Sequence, residues 1–325
     1  MQKLLNTTTT MCLLGAVALI STEVMATESV NKTLDADANS LVEISHLSGE
    51  ATVIGWDKNQ VKVEGVLGDR TEEFRFERNG RSVVIEVKVE KSNKGWGWSN
   101  NNDKGDKLTI YVPKQSRVDY DSVNADFSIS DVLGGASLEL INGDMRANTL
   151  AGRLRLKTVN GDIKAEKLTG ELLLDSVNGD IKASHISGDD IQVTTVNGDI
   201  DVDSQASEIS AETVNGDIEM NLGKVSDVKS NTVNGSIEMS MHLLEGGSLD
   251  ASSVGGSISF DFQQGIEARF DIEAHAGGRI KNRLTDDPVQ KAKYGPNRSL
   301  EFATGNASAT VDISTVSGRI TLASK

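Results

Sequence analysis

The sequence predicts an all-β chain. Its middle is a parallel β-solenoid of two-strand coils about 18 residues long, with an antiparallel β cap at the N-terminus and further strands at the C-terminus. Three observations predict it. First, Asn-Gly-Asp recurs at Asn142, Asn160, Asn178, Asn197 and Asn215, and Asn234-Gly235-Ser236 and Gly255-Gly256-Ser257 continue the series, in steps of 18, 18, 19, 18, 19 and 21 residues. Second, residues between these turns alternate with period 2: Ile163 and Ala165 share one parity and Leu172 and Leu174 share one, while Lys164, Glu166, Glu171 and Asp175 take the other. Such alternation marks half-buried strands. Third, all 13 aromatic residues lie at or before Phe127 or at or after Phe260, as a thin aliphatic core repeated every coil requires. Pro113, Pro288 and Pro296 also fall outside the repeats, where no ladder N–H is lost.

The elements follow in chain order. Residues 1–26 read as a signal peptide. Lys3 precedes an apolar stretch from Met11 to Ile20, and Val24 and Ala26, at the −3 and −1 positions, place cleavage after Ala26. The stretch is too short for a membrane-spanning helix, so the mature chain is expected to carry none. The single cysteine, Cys12, would leave with this segment, excluding disulfide and thiol chemistry from the remainder. Residues 27–39 form a loose lead. The 40–115 segment reads as the N-terminal β cap, with strands around Val61-Lys62-Val63, Phe74-Arg75-Phe76, Val83–Val87 and Leu108–Val112.

Residues 116–262 are the repeat solenoid, each period holding a second turn halfway along (Leu150-Ala151-Gly152, Leu168-Thr169-Gly170, Ile186-Ser187-Gly188). Asn-Gly is also a strong hairpin signal, because both residues tolerate positive φ. A constant period with two unlike turns nevertheless suits parallel stacking better than an antiparallel meander. Six or seven coils rising ~4.8 Å each make a rod on the order of 30 Å long, whose open edges need covers. Residues 263–325 supply further strands around a polar loop at 279–298, and Thr315-Val316-Ser317-Gly318-Arg319-Ile320 echoes the repeat.

These motifs resemble a bacterial β-strand-repeat family of unknown function labelled "putative adhesin". The resemblance rests on three features: the opening His46-Leu47-Ser48-Gly49-Glu50-Ala51-Thr52-Val53-Ile54-Gly55-Trp56, the strand end Tyr111-Val112-Pro113-Lys114, and the serial Val-Asn-Gly-Asp-Ile units with their closing echo. It implies a β-repeat fold and a role in adhesion, and brings no catalytic residues.

The net charge of −15 argues against nucleic acid or anionic lipid as partner, since both require a basic footprint. In a stack, Asp144, Asp162, Asp180, Asp199 and Asp217 form a column of carboxylates. Calcium is one ligand for such a column, although each repeat supplies only one carboxylate; structural turns are the default. The Asn column reads as turn geometry with amide stacking. Trp96 and Trp98, in a Gly/Asn/Lys-rich loop from Lys91 to Lys107, are candidate ligand-binding residues for sugar rings or a partner surface; rings folded onto the cap are the plainer reading. The 279–298 loop carries six Lys or Arg against two Asp and could meet an acidic polymer or the acidic rod itself.

His46, His185, His242 and His275 show no metal-ligand spacing, and no nucleophile or phosphate-loop motif is present. The sequence-level expectation is therefore a non-catalytic protein of the periplasm or cell surface. It would be an adhesin or a structural or interaction protein of the cell envelope, bound to an envelope polymer or protein without a cofactor. A carbohydrate or envelope-polymer binding module is the first alternative and a polysaccharide-processing enzyme the second.

Overall fold

Residues 28–89 and 105–325 are described by a computed structural model, and every regular element among them is a strand. The N-terminal strands are β1 (Ser29–Asp35), β2 (Leu41–Trp56), β3 (Gln60–Val66), β4 (Thr71–Asn79), β5 (Ser82–Val89) and β6 (Asp106–Pro113). The repeats supply β7 (Arg117–Val132), β8 (Ala136–Asn142), β9 (Met145–Asn160), β10 (Ile163–Asn178), β11 (Ile181–Ile186) and β12 (Asp190–Thr194). They continue with β13 (Ile200–Ser204), β14 (Glu208–Glu212), β15 (Ile218–Thr232), β16 (Ile237–Ser253) and β17 (Ile258–Phe262). After them come β18 (Ala268–Ala274), β19 (Arg279–Asn282), β20 (Gln290–Lys291), β21 (Arg298–Ala303), β22 (Ala309–Thr315) and β23 (Arg319–Ser324).

The repeats stack in parallel with like residues above like. Between β9 and β10, Met145 faces Ile163, Ala147 faces Ala165, Leu154 faces Leu172 and Asn160 faces Asn178. One isoleucine column then runs through Ile163, Ile181, Ile200, Ile218, Ile237, Ile258 and Ile320. Parallel pairing throughout this column rules out the meander. Each coil has two legs whose inward residues, such as Ile163, Ala165, Leu172 and Leu174, are buried. Removing such side chains from water is what drives the stack together.

Rings collect at the two ends, as the thin core predicts. Tyr120 stacks on Phe127 at 3.8 Å near one end, and Phe270 on Phe302 at 4.4 Å near the other.

The two turns work differently. At the half-turn, Asp131, Thr149, Lys167 and His185 adopt φ of 60°, 55°, 56° and 55°, a left-handed conformation that costs L-residues energy. The buried Val132, Leu150, Leu168 and Ile186 that follow hold them there. At the Asn-Gly turn, the glycines are required by close approach more than by φ. A Cβ on Gly179 would lie 2.0 Å from the carbonyl oxygen of Gly161, and Gly198, Gly216 and Gly235 repeat the contact on the coil before each.

Parallel stacking also reaches into the 40–115 segment. Strand β2 is a full coil that pairs in parallel with β7 on one side and with β5 and β6 on the other. The first coil in space, β5–β6, thus follows β2 in sequence. The antiparallel part of the cap consists of β1, β3 and β4. The C-terminus mirrors this arrangement: β22 lies between β16 and β18, and β23 between β17 and β19. Both ends of the rod are interleaved.

Candidate functional site: an aliphatic ridge and groove at the Asn-Gly corner

In Val-Asn-Gly-Asp-Ile the threonine or serine before the valine continues the inward parity of the strand, so the valine faces out. Thr195, Thr213 and Thr232 are buried and donate to the carbonyls of Gly179, Gly198 and Gly216 on the preceding coil, at 3.1–3.2 Å. The consequence is a ridge of exposed aliphatics, one per coil: Ile141, Val159, Val177, Val196, Val214, Val233, Val254 and Val316, each 38–48% exposed. Soluble surfaces seldom carry so continuous an apolar strip unless something docks on it. The parity of Leu154, Leu156 and Thr158 already placed Val159 outside; a hydrophobic residue inside a turn motif simply reads as core.

Toward the N-terminal end the ridge becomes one wall of a groove of about 1280 Å³. Leu47, Val123, Ile141, Val159 and Val177 line it together with Val87 and Val89 of β5. Glu72, Glu86, Asp121, Glu139 and Asp175 stand around it with Arg70, Lys88 and Lys157. Lys157 is paired with Asp175 at 3.0 Å, and Lys88 with Glu73 at 2.8 Å. Partial burial raises the carboxyl of Asp121 above its ordinary value, and the charges of Glu139 and Asp119 raise it further. The groove is apolar inside and acidic at the mouth.

Beneath it lies a buried polar network that the histidine spacing did not reveal. His46 Nε2 is 3.2 Å from Asp106 Oδ2, and His46 Nδ1 is 3.1 Å from the Tyr120 hydroxyl. Asp106 also accepts hydrogen bonds from Gly68 N–H at 2.5 Å and Thr71 Oγ1 at 2.9 Å. Burial works to raise the Asp106 carboxyl, but these hydrogen bonds outweigh it and hold the pKa below its ordinary value. Burial drives the Tyr120 phenol upward, which keeps its hydroxyl protonated. With His46 and Asp106 each only 1% exposed, the network fastens β2, β6 and β7 together.

The predicted Asp column is present and occupied by backbone. Asp144, Asp162, Asp180 and Asp199 each accept, through Oδ1, the N–H of the aspartate one coil on, at 2.8–3.2 Å, and Asp217 accepts from Ser236 N–H at 2.7 Å. The Asn column is a ladder in which each Nδ2 donates to the Oδ1 one coil back, from Asn234 down to Asn124, at 2.6–2.9 Å. Among the described residues, no group of three His, Cys, Asp or Glu side chains is arranged to hold a metal ion. Trp96 and Trp98 lie outside the described residues. In the 279–298 loop, Arg279, Lys281, Arg283, Lys291 and Lys293 are all exposed, and no helix among the described residues is long and apolar enough to cross a membrane.

These features define a β-solenoid repeat protein with an exposed apolar corner. The chain belongs to the Toastrack DUF4097 family, whose model matches residues 39–323. No curated protein matches it in sequence. Similar solved structures include a "putative adhesin" from Parabacteroides merdae at 10% identity, which covers 72% of this chain and 96% of that one with a TM-score of 0.46. Another "putative adhesin", from Bacteroides fragilis, is 14% identical over 91% and 97% of the two chains, TM-score 0.35. A "putative lipid binding protein" from Parabacteroides distasonis is 13% identical over 90% and 96%, TM-score 0.39.

Proposed function

We propose that this is an exported, non-catalytic interaction protein of the cell envelope, which engages its partner through the aliphatic ridge and the groove that continues it. The observation that carries the reading is the exposed aliphatic on coil after coil, held at a fixed spacing by the Asn ladder. A rigid row of identical contacts suits a repetitive or extended partner, because each coil adds a small increment and linked contacts multiply affinity. The buried His46–Asp106–Tyr120 network, with its phenol kept protonated, supports a structural role over a catalytic one.

The test is cosedimentation of the purified chain with cell envelopes, comparing the wild type with Ile141→Asp/Val159→Asp/Val177→Asp. The triple variant should lose at least about tenfold in binding, with an unchanged melting curve, because a charge on each ridge position must be desolvated on docking. Binding that survives the triple change, together with a tryptophan fluorescence shift on adding wall glycan, would move the reading to a carbohydrate-binding module centred on Trp96 and Trp98. Turnover of any glycan in a substrate screen would overturn the non-catalytic assignment.

A further inference from the structure

We propose that the groove of one copy receives the basic 279–298 segment of a second copy, so that the rods associate head to tail. The proposal rests on reading the groove as a docking surface and names its partner.

The first argument is charge. On a chain of net charge −15, the 279–298 segment gathers six cations, and among the described residues Arg279, Lys281, Arg283, Lys291 and Lys293 have no ion-pair partner. Exposed unpaired cations on an otherwise acidic rod call for an acidic counterpart. The groove provides one in Asp121 and Glu139, neighbours on adjacent coils across the β7–β8 pairing. Among the described residues Asp121 has no cation in contact and Glu139 has only Arg155, at 3.9 Å. Partial burial is the main cause of the raised Asp121 carboxyl, and the charges of Glu139 and Asp119 add a repulsion that an incoming lysine would relieve.

The second argument is surface character. Beside Lys293, the Tyr294 ring is 83% exposed, an apolar body with a polar tip that suits an apolar groove with a polar mouth.

The third argument is distance. From β10, at the groove, to β19, at the basic segment, the parallel ladder runs through β11, β13, β15, β16, β17 and β23. That is seven steps of ~4.8 Å, roughly 34 Å. The segment is anchored on both sides by strands at the far end, so it cannot reach its own groove. The matching surfaces can meet only between copies. Such an interface joins unlike faces, so it adds copies head to tail instead of stopping at a symmetric pair.

Sedimentation velocity on the purified chain tests this, using the paired variants Lys291→Glu/Lys293→Glu and Asp121→Lys/Glu139→Lys. All four positions are exposed, and thermal melts check that each variant folds. The wild type should show a mass that climbs with concentration past the dimer and falls when salt is raised. Each variant alone should associate about tenfold or more weakly. An equimolar mixture of the two should recover association past the dimer, since the native segment of one variant meets the native groove of the other and the reversed segment meets the reversed groove.

A wild type that is monomeric at every concentration overturns the inference, as does association that survives either reversal or a mixture that stays monomeric. Binding of the monomeric wild type to phosphatidylglycerol vesicles, lost in Lys291→Glu/Lys293→Glu, would assign the segment to an anionic surface and also overturn it. A monomeric chain whose envelope binding still depends on Ile141, Val159 and Val177 would sink this inference alone and leave the functional reading standing.

Discussion

At Gly179 a single methyl group decides whether two coils can stack. The Cβ of an alanine would sit 2.0 Å from Gly161 O, and both partners are backbone in a continuous ladder, so neither can yield cheaply. Gly179→Ala should cost about 2–3 kcal/mol in denaturant unfolding, at the upper end for overpacking. Gly80→Ala, where nothing lies within 4 Å but φ is +64°, should cost only about 1 kcal/mol, from conformational strain alone. Equal losses at the two sites would refute the close-approach account. The same scale governs acid response. Because the folded-state pKa of Asp106 lies below its unfolded value, its contribution is present above about pH 4 and disappears as pH falls through the lowered value. The stability gap between the wild type and Asp106→Asn should therefore be wide at pH 7 and narrow toward pH 3 in denaturant titrations. Asp121 has the opposite sign: its raised pKa penalises the folded state above that value, so Asp121→Asn should raise the melting midpoint at pH 7 and leave it unchanged at pH 3.

The strands themselves were legible from the period, and the order in which they lie at the ends was not. A repeat of Ile-x-Ala and Leu-x-Leu at 18-residue spacing states which residues stack, because a parallel register must set like on like. Nothing in Leu41–Trp56 states that it will lie between β6 and β7, since that depends on pairings made across tens of intervening residues. His46, Asp106 and Tyr120 were opaque for the same reason: they meet only once β2 is inserted. The valine ridge, by contrast, could be read from strand parity, and was hidden only by the habit of counting valine as core. Interleaving has a mechanical consequence. Deleting residues 306–325 removes β22 and β23, leaving β18 and β19 without their parallel partners and Phe260, Phe262 and Phe270 without cover. The truncated chain should bind a hydrophobic dye and aggregate on size-exclusion chromatography, because it exposes both a ring cluster and open strand edges. A truncated rod that stays monomeric and dye-silent would show the interleaved coil to be dispensable.

At the scale of the whole rod, regularity concentrates charge. The aspartate column from Asp126 to Asp217 follows the ladder, with adjacent carboxylates ~4.8 Å apart and each neighbouring pair repelling by about 0.9 kcal/mol in water before screening. The chain tolerates this because each carboxylate gains a backbone N–H from the next coil, a charge-assisted bond that also satisfies an otherwise open donor. Those bonds engage the oxygens that a calcium ion would need, while the repulsion along the column remains available to any mobile cation. Two outcomes follow for the melting midpoint. Sodium and potassium chloride should raise it alike as screening shortens the Debye length from about 30 Å at 0.01 M to about 8 Å at 0.15 M. Chelator should leave it unchanged at fixed ionic strength, because a metal bound only by the folded state would have to stabilise it. A rise with micromolar calcium that monovalent salt does not reproduce would mean that the column is a metal site after all, with the N–H bonds yielding to the ion.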